Sequence, residues 1–360
     1  FAGPARVDSL GLAYGYATQA LGWRINRHEG KLTGLAALGK PSAADAIAAR
    51  FTVDDEAQIR CGFATNPELR KFMFETAETV SREDMAASIQ EVLERITLES
   101  VQRLLQRHGI RRLGLSGGVF GNVRLNRLLA EETGVEEVFV YPAMSDQGLP
   151  AGGVLQYLLE RDGMETWLAQ RYPLETLYYG RDWGGNADLV FAGKPGLAAI
   201  SDKPVEKTAE LLTEGKAVAI FGHGMEYGPR ALGARSILAS PADAGINDSL
   251  NERLDRSEFM PFAPVVAEED AETLFDIDGR NRYAARFMTI TCNVKQAWRT
   301  RIPAVVHVDG TARPQIIRRA QNPLYYDILT AFKQRSSLPT MINTSFNVHE
   351  EPIINRPEEC

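Results

Sequence analysis

The stretch Leu115-Ser116-Gly117-Gly118-Val119-Phe120-Gly121-Asn122 is the clearest indication of the fold class of this 360-residue chain. It follows a strand-like run at 111–115 and precedes residues with helical spacing from 122 to about 133. Two glycines at a strand-to-helix turn let backbone N–H groups approach a phosphate, and the helix N-terminus that follows favours negative charge. A tight turn with glycine at positive φ explains the same residues. Both interpretations stay open from the residues alone.

The segments on either side of this turn alternate between helix and strand. Upstream, Ser81 opens a capping-box pattern, and apolar residues then recur at helical spacing as far as Gly109. Downstream, we predict a strand over 137–141 and a helix over 149–161 that stops at Gly163. This alternation predicts an α/β domain.

The second half of the chain begins after a break in this alternation. Glycines, prolines and aromatic residues crowd the segment 172–196, which we interpret as a linker. Beyond it we predict a helix that ends at Gly215, a helix over 325–334, and strands over 217–221, 287–292, 304–308 and 340–343. The predicted organisation is a domain over 1–170, a linker over 171–203 and a second domain over 204–360.

Composition narrows the classes of function. Hydrophobic residues make up 44% and charged residues 24%, as in ordinary globular proteins, and the net charge of −7 disfavours nucleic acid as the main partner. No apolar run approaches the roughly 18 residues of a membrane span. The three cysteines are far apart, which argues against a disulfide framework or a zinc knuckle and favours a reducing, cytoplasmic setting.

The two ends of the chain suggest a longer protein. The chain starts at Phe1 without a methionine or a signal peptide. It stops at Cys360, where Pro357 and two glutamates resemble the first turn of a helix. We therefore expect a piece of a longer protein.

The run 221–236 concentrates arginine among glycines directly after a predicted strand. It contains Arg230 and Arg235, together with His223 and a glutamate. Arginine presents a planar, permanently charged fork suited to phosphates and carboxylates, and glycines let the backbone approach a ligand. We predict a functional loop here, although His223 alone is weaker evidence.

Three further polar clusters lie beyond that loop. Arg256 precedes a proline-rich wall at 260–264 and faces either the site or a surface glutamate. In the run 307–315, a hairpin turn explains Asp309-Gly310 but leaves Arg313 and Gln315 unexplained. The run 343–347 offers amides and hydroxyls that can hold phosphate or ribose oxygens, and consecutive Asx and Ser/Thr turns are the alternative.

Other catalytic arrangements are missing or incomplete. No cysteine lies near a histidine in the sequence, and the five histidines form no H-E-x-x-H pair. Asp146 follows a predicted strand and either ligates a metal or caps the next helix. If it binds a metal, the partner ligands are missing from this chain.

Taken in series, these runs resemble the O-carbamoyltransferase family of nodulation-factor, aminoglycoside and cephamycin biosynthesis. The matching runs fall in the family's order and cover most of the chain: His28–Ala36, Ser116–Asn122, Ser145–Asp146, Gly228–Gly233, Pro261–Pro264, His307–Gln315 and Asn343–Asn347. Ser257 and Met260 depart from the residues that many members carry. The amino-acid sequence at 256–260 is most similar to that of the nodulation branch.

The resemblance implies two modules and a reaction. The first module would be the second lobe of an actin-like (ASKHA, Kae1-like) ATPase fold, and the second a C-terminal YrdC-like α/β domain. The family forms carbamoyl adenylate from carbamoyl phosphate and ATP, and then transfers the carbamoyl group to a sugar hydroxyl near a bound iron. The branch resemblance implies a nodulation-factor-like acceptor.

The resemblance also implies roles for individual residues. Asp146 would be one ligand of Fe²⁺. The nucleotide of the first module would be held by Glu29, Lys31, Ser116, Gly117, Gly118 and Asn122. In the second module, the catalytic arginines would be Arg230, Arg235 and Arg256. ATP and carbamoyl phosphate would there also contact His223, Ser236, His307, Arg313, Asn343, Ser345 and Asn347.

Two departures and two alternatives accompany this interpretation. The family's N-terminal lobe, with its histidine iron ligands, and the final C-terminal segment are absent, so we expect incomplete transfer and one iron ligand at most. A tRNA threonylcarbamoyl transferase shares both folds, but the acidic charge and the run 307–313 argue against it. A nucleotide-binding regulatory module without turnover is the second alternative. The expected partners are small molecules and a carbohydrate acceptor, without nucleic acid, and a homodimer is left open.

Overall fold

The protein is represented by a computed structural model that describes residues 8–184, 190, 202–255, 261–348 and 350–360. These residues form two compact units. The N-terminal unit runs to Val140 and includes Gly279–Tyr283, and the C-terminal unit contains the other described residues. Each unit combines helices and strands, which confirms the mixed α/β class. The predicted domain boundaries at 170 and 204 remain predictions.

Six helices are described in the N-terminal unit. Their bounds are Leu10–Ala20 (α1), Glu29–Leu35 (α2), Ala44–Ala48 (α3), Asn66–Ala77 (α4), Arg82–His108 (α5) and Val123–Glu132 (α6). Helix α5 begins as predicted, because the Ser81 hydroxyl accepts from the N–H of Asp84 at 3.1 Å. It ends at Gly109, whose φ of 63° is left-handed. Buried Met85 and Ile89 fix one face of α5 to the core of the unit.

Two strand pairs accompany these helices. Strands Phe51–Val53 (β1) and Ile59–Cys61 (β2) are antiparallel. Strands Arg112–Leu115 (β3) and Glu137–Val140 (β4) are parallel and are joined through α6. The predicted strand–turn–helix–strand order is therefore confirmed. It places the turn 116–121 at the carboxyl end of β3, the edge where open α/β sheets bind ligands.

The helices that follow Val140 in the chain are shorter on average, apart from the first. Their bounds are Leu149–Ala169 (α7), Pro204–Thr213 (α8), Gly245–Arg253 (α9), Ala271–Leu274 (α10), Arg282–Ala285 (α11), Gln296–Arg299 (α12) and Pro323–Ser336 (α13). Helices α8 and α13 pack together. The predicted stop at Gly163 is confirmed: Gly163 adopts a non-helical φ of 82°, and the helical residues beyond it form a second segment after this break.

A five-stranded sheet organises the C-terminal unit. Its strands are Val218–Phe221 (β5), Arg235–Ala239 (β6), Ala263–Ala267 (β7), Gln315–Ile317 (β10) and Thr340–Ser345 (β11), in the order β10-β7-β11-β6-β5. Only β10 and β7 pair in parallel. The last strand in the chain, β11, therefore lies in the middle of the sheet. A separate pair joins Cys292–Asn293 (β8) and Thr311–Ala312 (β9).

The structure corrects part of the predicted strand pattern. Strands at 218–221 and 340–345 and helix α13 are confirmed. The strand predicted over 287–292 is wrong except at Cys292, and the strand predicted over 304–308 is wrong because residues 303–305 form a single 3₁₀ turn. Pro303 starts that turn and cannot donate to a strand ladder. Strands β6 and β7 were not predicted, since both are buried at every position and show no alternation.

Within the described part of the chain, the helices are all too short or too polar to cross a lipid bilayer.

Candidate functional site

One carboxylate shapes the glycine-rich loop between β5 and β6. Glu226 is only 5% exposed. Its Oε1 atom accepts hydrogen bonds from the N–H groups of Leu232 at 2.7 Å, Ala234 at 2.7 Å and Arg235 at 3.3 Å. Three N–H groups gathered on one oxygen fold the loop back onto the start of β6. The Glu226 carboxylate thus places Arg235 at the first position of a buried strand.

The Arg235 side chain is completely buried. Its Nη1 atom donates to the carbonyl oxygens of Gly222 and Ala234, each at 2.9 Å. The guanidinium carbon lies 3.8 Å from the centre of the Phe221 ring, close enough for a cation–π interaction. Burial lowers the pKa of Arg235, and the charge of Glu226 opposes that shift.

Two nitrogens of this guanidinium have no hydrogen-bond acceptor among the described residues. The Nε and Nη2 atoms of Arg235 are buried, and no described protein group accepts from them. A buried donor without a partner costs about 1–3 kcal/mol, and more when it is charged. In folded proteins such donors usually meet an ordered water or a bound group, and a guanidinium in this position is chemically suited to an anion.

A pair of buried amides ties the loop to the sheet. Asn343 on β11 donates through Nδ2 to the carbonyl of Ala231 at 3.0 Å and to Oε1 of Gln315 at 2.7 Å. Gln315 on β10 donates in turn to the carbonyl of Leu232 at 2.7 Å. The Oδ1 atom of Asn343 and the Oε2 atom of Glu226 are also buried, and no group in the described part of the chain donates to them. Acceptors and donors therefore remain available around one loop.

The end of the loop is closely packed. Gly233 has a φ of +111°, and a Cβ atom at this position would lie 2.1 Å from the Tyr325 ring. The Ser236 hydroxyl accepts from the N–H of Gly233 at 2.9 Å. Ser236 also pairs with Ser345 across β6 and β11. This packing leaves little freedom in how Arg235 is presented.

The structure thus brings together part of the predicted set. Arg235, Ser236, Asn343 and Ser345 lie on neighbouring strands β6 and β11. The sequence assigns no ligand contact to Glu226 or Gln315, although a hairpin turn does not explain Gln315 and Glu226 belongs to the run 221–236. Sequence analysis also missed Tyr178, which lies in the segment interpreted as a linker.

Other predicted residues have different surroundings. His223 is exposed, and its ring stacks on Tyr178 with the ring centres 4.7 Å apart. Arg230 is half-buried in the same loop. The Asn347 amide donates to the carbonyls of Val348 at 2.9 Å and Glu351 at 2.8 Å, which is a local turn. Arg256 lies outside the described residues, and Arg313 is half-buried between β9 and β10.

His307 lies in a tight turn that leads into β9. Its Nδ1 atom is 3.0 Å from the hydroxyl of Thr311, and Asp309 accepts from that same hydroxyl at 2.7 Å. Burial lowers the pKa of His307 to about 4. The imidazole is therefore neutral near pH 7 in the folded protein and can accept or donate without carrying charge.

This shift predicts a specific loss of stability in acid. Between pH 6.5 and pH 4 the unfolded chain binds a proton at His307 and the folded chain does not, so the free energy of unfolding falls as the pH falls. From pH 7 to pH 4.5, we expect His307 to account for a loss of roughly 2–3 kcal/mol. Urea denaturation of the wild type and of His307→Gln at both pH values measures this loss. The wild type should lose more stability than the variant, and equal losses would contradict the prediction.

The N-terminal unit contains its own buried polar network. The Tyr14 hydroxyl lies 2.8 Å from that of Thr33 and donates to Oε1 of Gln90 at 2.9 Å. Asn122 donates to the same Gln90 oxygen at 2.8 Å. The Gln90 amide donates to Glu94 at 2.8 Å. Burial raises the pKa values of Tyr14 and Glu94. The network connects α1, α2 and α5 to the N-terminus of α6.

This network lies beside the predicted nucleotide loop. Ser116, Gly117 and Gly118 are exposed, and Gly117 has a φ of 114°. Glu29 begins α2 and accepts from the N–H of Asn26 at 2.6 Å, whereas Lys31 on the same helix is buried. The loop is thus an open turn at the end of β3, and Asn122 connects it to the interior.

The Asn122 side chain has two separable roles, so variants that remove one or both of them should lose different amounts of stability. Its Oδ1 atom caps α6 by accepting from the N–H of Leu125 at 3.0 Å, and its Nδ2 atom donates to Gln90. We expect Asn122→Ala to lose about 1–2 kcal/mol, measured as faster amide exchange in α6 and a lower urea midpoint. Asn122→Asp keeps the cap and loses the donor, so its loss should be smaller. Equal losses in both variants would show that the cap contributes nothing.

Asp146 is exposed and begins a 3₁₀ turn over 146–148. Among the described residues, no group of three or more His, Cys, Asp or Glu side chains is arranged to hold a metal ion. Asp146 alone is therefore not a complete iron site.

Comparisons with known proteins extend over both halves of the chain. The family model described as "Carbamoyltransferase N-terminus" matches residues 4–155, and that described as "Carbamoyltransferase C-terminus" matches residues 209–360. An uncharacterized protein of Methanocaldococcus jannaschii is 33% identical over 98% of this chain and 59% of its own length. Nodulation protein NolNO of Sinorhizobium fredii is 34% identical over 97% of this chain and 52% of its own length. Nodulation protein NolO of Bradyrhizobium diazoefficiens is 37% identical over 77% of this chain and 50% of its own length.

The chain therefore spans only 50–59% of the length of these relatives. Among solved structures, the HypF crystal structure of T. kodakarensis is similar over 43% of this chain and 18% of its own length, with 19% identity and a TM-score of 0.31. That score is too low to support an argument about the fold.

Proposed function

The chain belongs to the carbamoyltransferase family, and from this membership we propose that it forms the activating part of an O-carbamoyltransferase. Its C-terminal unit would make carbamoyl adenylate from carbamoyl phosphate and ATP. The acceptor would be a sugar hydroxyl, and the relatives named as nodulation proteins support an acceptor of the nodulation-factor type. Since the relatives are much longer, the activity of the whole protein is part of this proposal.

The proposed reaction has three steps: a hydrolysis, an adenylation and a carbamoyl transfer. Water releases inorganic phosphate from carbamoyl phosphate and leaves carbamate. A carbamate oxygen then attacks the α-phosphorus of ATP, and the bond to pyrophosphate breaks. The product, carbamoyl adenylate, is a mixed anhydride with AMP as a good leaving group. In the last step a sugar oxygen attacks the carbamoyl carbon, AMP leaves, and the hydroxyl proton passes to solvent.

One observation carries the proposal. Arg235 is a fully buried cation with two nitrogens that no described protein group satisfies. Its remaining nitrogen and its backbone are held by the loop, so its position is set before a ligand arrives. A fixed guanidinium can bring two mutually repelling anions together and neutralise charge that develops on phosphate. The buried amides of Asn343 and Gln315 next to the loop would orient the carbamoyl group.

The N-terminal unit would have a separate role. We propose that it is the second lobe of an actin-like fold, with a nucleotide or its product at Ser116–Gly118 and Asn122, and that the C-terminal unit is YrdC-like. The exposed turn at the end of β3 and the helix N-terminus behind it support a phosphate position there. Glu29 and Lys31 lie on α2, whose Thr33 is 3.5 Å from the Asn122 amide. Iron, which the family resemblance implies, would need ligands beyond Asp146.

The experiment follows each proposed product separately. Purified chain is incubated with ATP and carbamoyl phosphate, and the release of inorganic phosphate and the exchange of labelled pyrophosphate into ATP are measured. We expect exchange to require both substrates. Replacing carbamoyl phosphate by threonine and bicarbonate should abolish exchange, because the threonylcarbamoyl alternative would use them. A folded chain that binds neither ATP nor carbamoyl phosphate in calorimetry would refute the proposal.

A further inference from the structure

Glu175 lies between two arginines of the C-terminal unit. The Nη2 atom of Arg286 is 2.5 Å from Oε2 of Glu175, and Nη2 of Arg318 contacts the same oxygen. The Gln321 amide donates to the backbone carbonyl of Glu175. Gln321 also accepts from the N–H of Arg318 at 2.9 Å. Two guanidinium groups therefore converge on one carboxylate oxygen.

The two arginine side chains are less exposed to solvent than the Glu175 side chain. The Arg286 side chain is 10% exposed, whereas that of Glu175 is 51% exposed. The Nε atom of Arg318 is buried, and no described protein group accepts from it. Hydrogen bonding to Arg286 lowers the pKa of Glu175, so the carboxylate is charged near neutral pH. A ligand with several anionic oxygens would give each guanidinium group its own acceptors, in place of the single Glu175 oxygen that both now share.

The arginine pair is connected to the candidate site. Arg286 lines a cavity of about 10 Å³ together with Tyr178, Leu232 and Gln315. The segment that follows Glu175 runs along the glycine-rich loop: the carbonyl of Leu177 accepts from the N–H of Tyr227 at 2.8 Å, and the N–H of Gly180 donates to Met225 at 2.9 Å. Movement of Glu175 would therefore be transmitted to the loop that positions Arg235.

Neither family match includes this segment. The matched regions end at residue 155 and resume at residue 209. Glu175 lies between them, while Arg286 and Arg318 lie within the second region. The carboxylate thus comes from a connecting segment and the cations from the family's C-terminal region.

We propose that Arg286 and Arg318 form a binding site for a phosphate-bearing small molecule, and that Glu175 competes for it as a built-in occupant. A phosphate offers several oxygens and up to two negative charges, so it can accept from both guanidinium forks at once. Binding displaces the Glu175 carboxylate into solvent, toward which it is already half exposed. The segment 175–180 is then released from its ionic anchor.

The test compares variants that remove one carboxylate each. Binding of inorganic phosphate is titrated by calorimetry for the wild type, Glu175→Gln and Asp327→Asn. Asp327 is the matched control, since it pairs with a neighbouring surface arginine, Arg319, at 2.7 and 2.8 Å. A tethered competitor acts at millimolar effective concentration, so Glu175→Gln should bind phosphate roughly tenfold more tightly than the wild type. Asp327→Asn should change the affinity less than about twofold.

Two further measurements make the outcome decisive. Adding Arg286→Gln to Glu175→Gln should abolish the gain in affinity. In the wild type, saturating phosphate should increase amide hydrogen exchange over 175–180, a readout that needs no variant to fold. The proposal would be overturned if Glu175→Gln bound phosphate no more tightly than the wild type, or if Asp327→Asn gained as much phosphate affinity. It would also be overturned if amide hydrogen exchange over 175–180 did not change with phosphate. Each result would show that the ion pair has only a structural role. Because no turnover is measured, this result is independent of the proposed carbamoyl transfer.

Discussion

Replacing Arg235 by lysine is expected to lower pyrophosphate exchange by roughly 100-fold, because lysine keeps the charge and loses the fork that reaches several acceptors. In the folded chain one nitrogen of Arg235 is used by carbonyls of its own loop, and two others point to no described protein acceptor. A lysine can satisfy the carbonyls or a ligand oxygen, but not both. The loss should appear mainly in the exchange rate at saturating ATP and carbamoyl phosphate.

The matched control for this prediction is Arg319→Lys. Arg319 is 63% exposed and forms a bidentate surface pair with Asp327, so its replacement should leave exchange within about twofold. Circular dichroism and thermal unfolding must show that Arg235→Lys remains folded. A folded Arg235→Lys protein with nearly wild-type exchange would remove Arg235 from the proposed chemistry.

Replacing Gly233 by alanine is expected to destabilise the C-terminal unit by about 3 kcal/mol or more. The new Cβ atom would lie 2.1 Å from a ring carbon of Tyr325, which is itself buried at 1% exposure. Overpacking of this kind costs about 1–3 kcal/mol, and a non-glycine residue at positive φ adds about 1–2 kcal/mol. Urea denaturation monitored by exchange of the β6 and β11 amides measures the loss.

Gly215→Ala separates these two contributions. Gly215 also has a positive φ, of +79°, but a Cβ atom there meets nothing within 4 Å. Its replacement should cost only about 1–2 kcal/mol, the strain of the left-handed backbone. Equal losses at positions 215 and 233 would mean that the Tyr325 ring moves aside at no cost.

The sequence predicted the N-terminal unit better than the C-terminal sheet, and the difference has a physical cause. Helix α5 and the β3-α6-β4 unit carry their own local signals: a Ser81 cap, a Gly109 stop and short apolar strands. Strand β6 is buried at all five positions yet begins with Arg235 and Ser236. Hydrogen bonds to distant parts of the chain compensate for the burial of these polar residues. No local periodicity in the sequence reveals such bonds.

The candidate site shows the same division. The density of arginine and glycine over 221–236 was enough to predict a functional loop, and Asn343 was found from its polar run. The role of Glu226 depends on three N–H groups that face one oxygen only after the loop has folded. Tyr178 contributes a hydroxyl that donates to Leu232 at 2.6 Å, from a segment whose composition resembles a linker. Such contacts depend on tertiary structure and have no sequence pattern.

The position of β11 in the sheet has a consequence for synthesis of the protein. During translation β5, β6, β7 and β10 all leave the ribosome before the strand that joins β6 to β7. Until Ser345 has emerged, those strands present open edges, and such edges recruit chaperones or other nascent chains. The yield of native protein is therefore expected to depend on how quickly β11 is synthesised after β10.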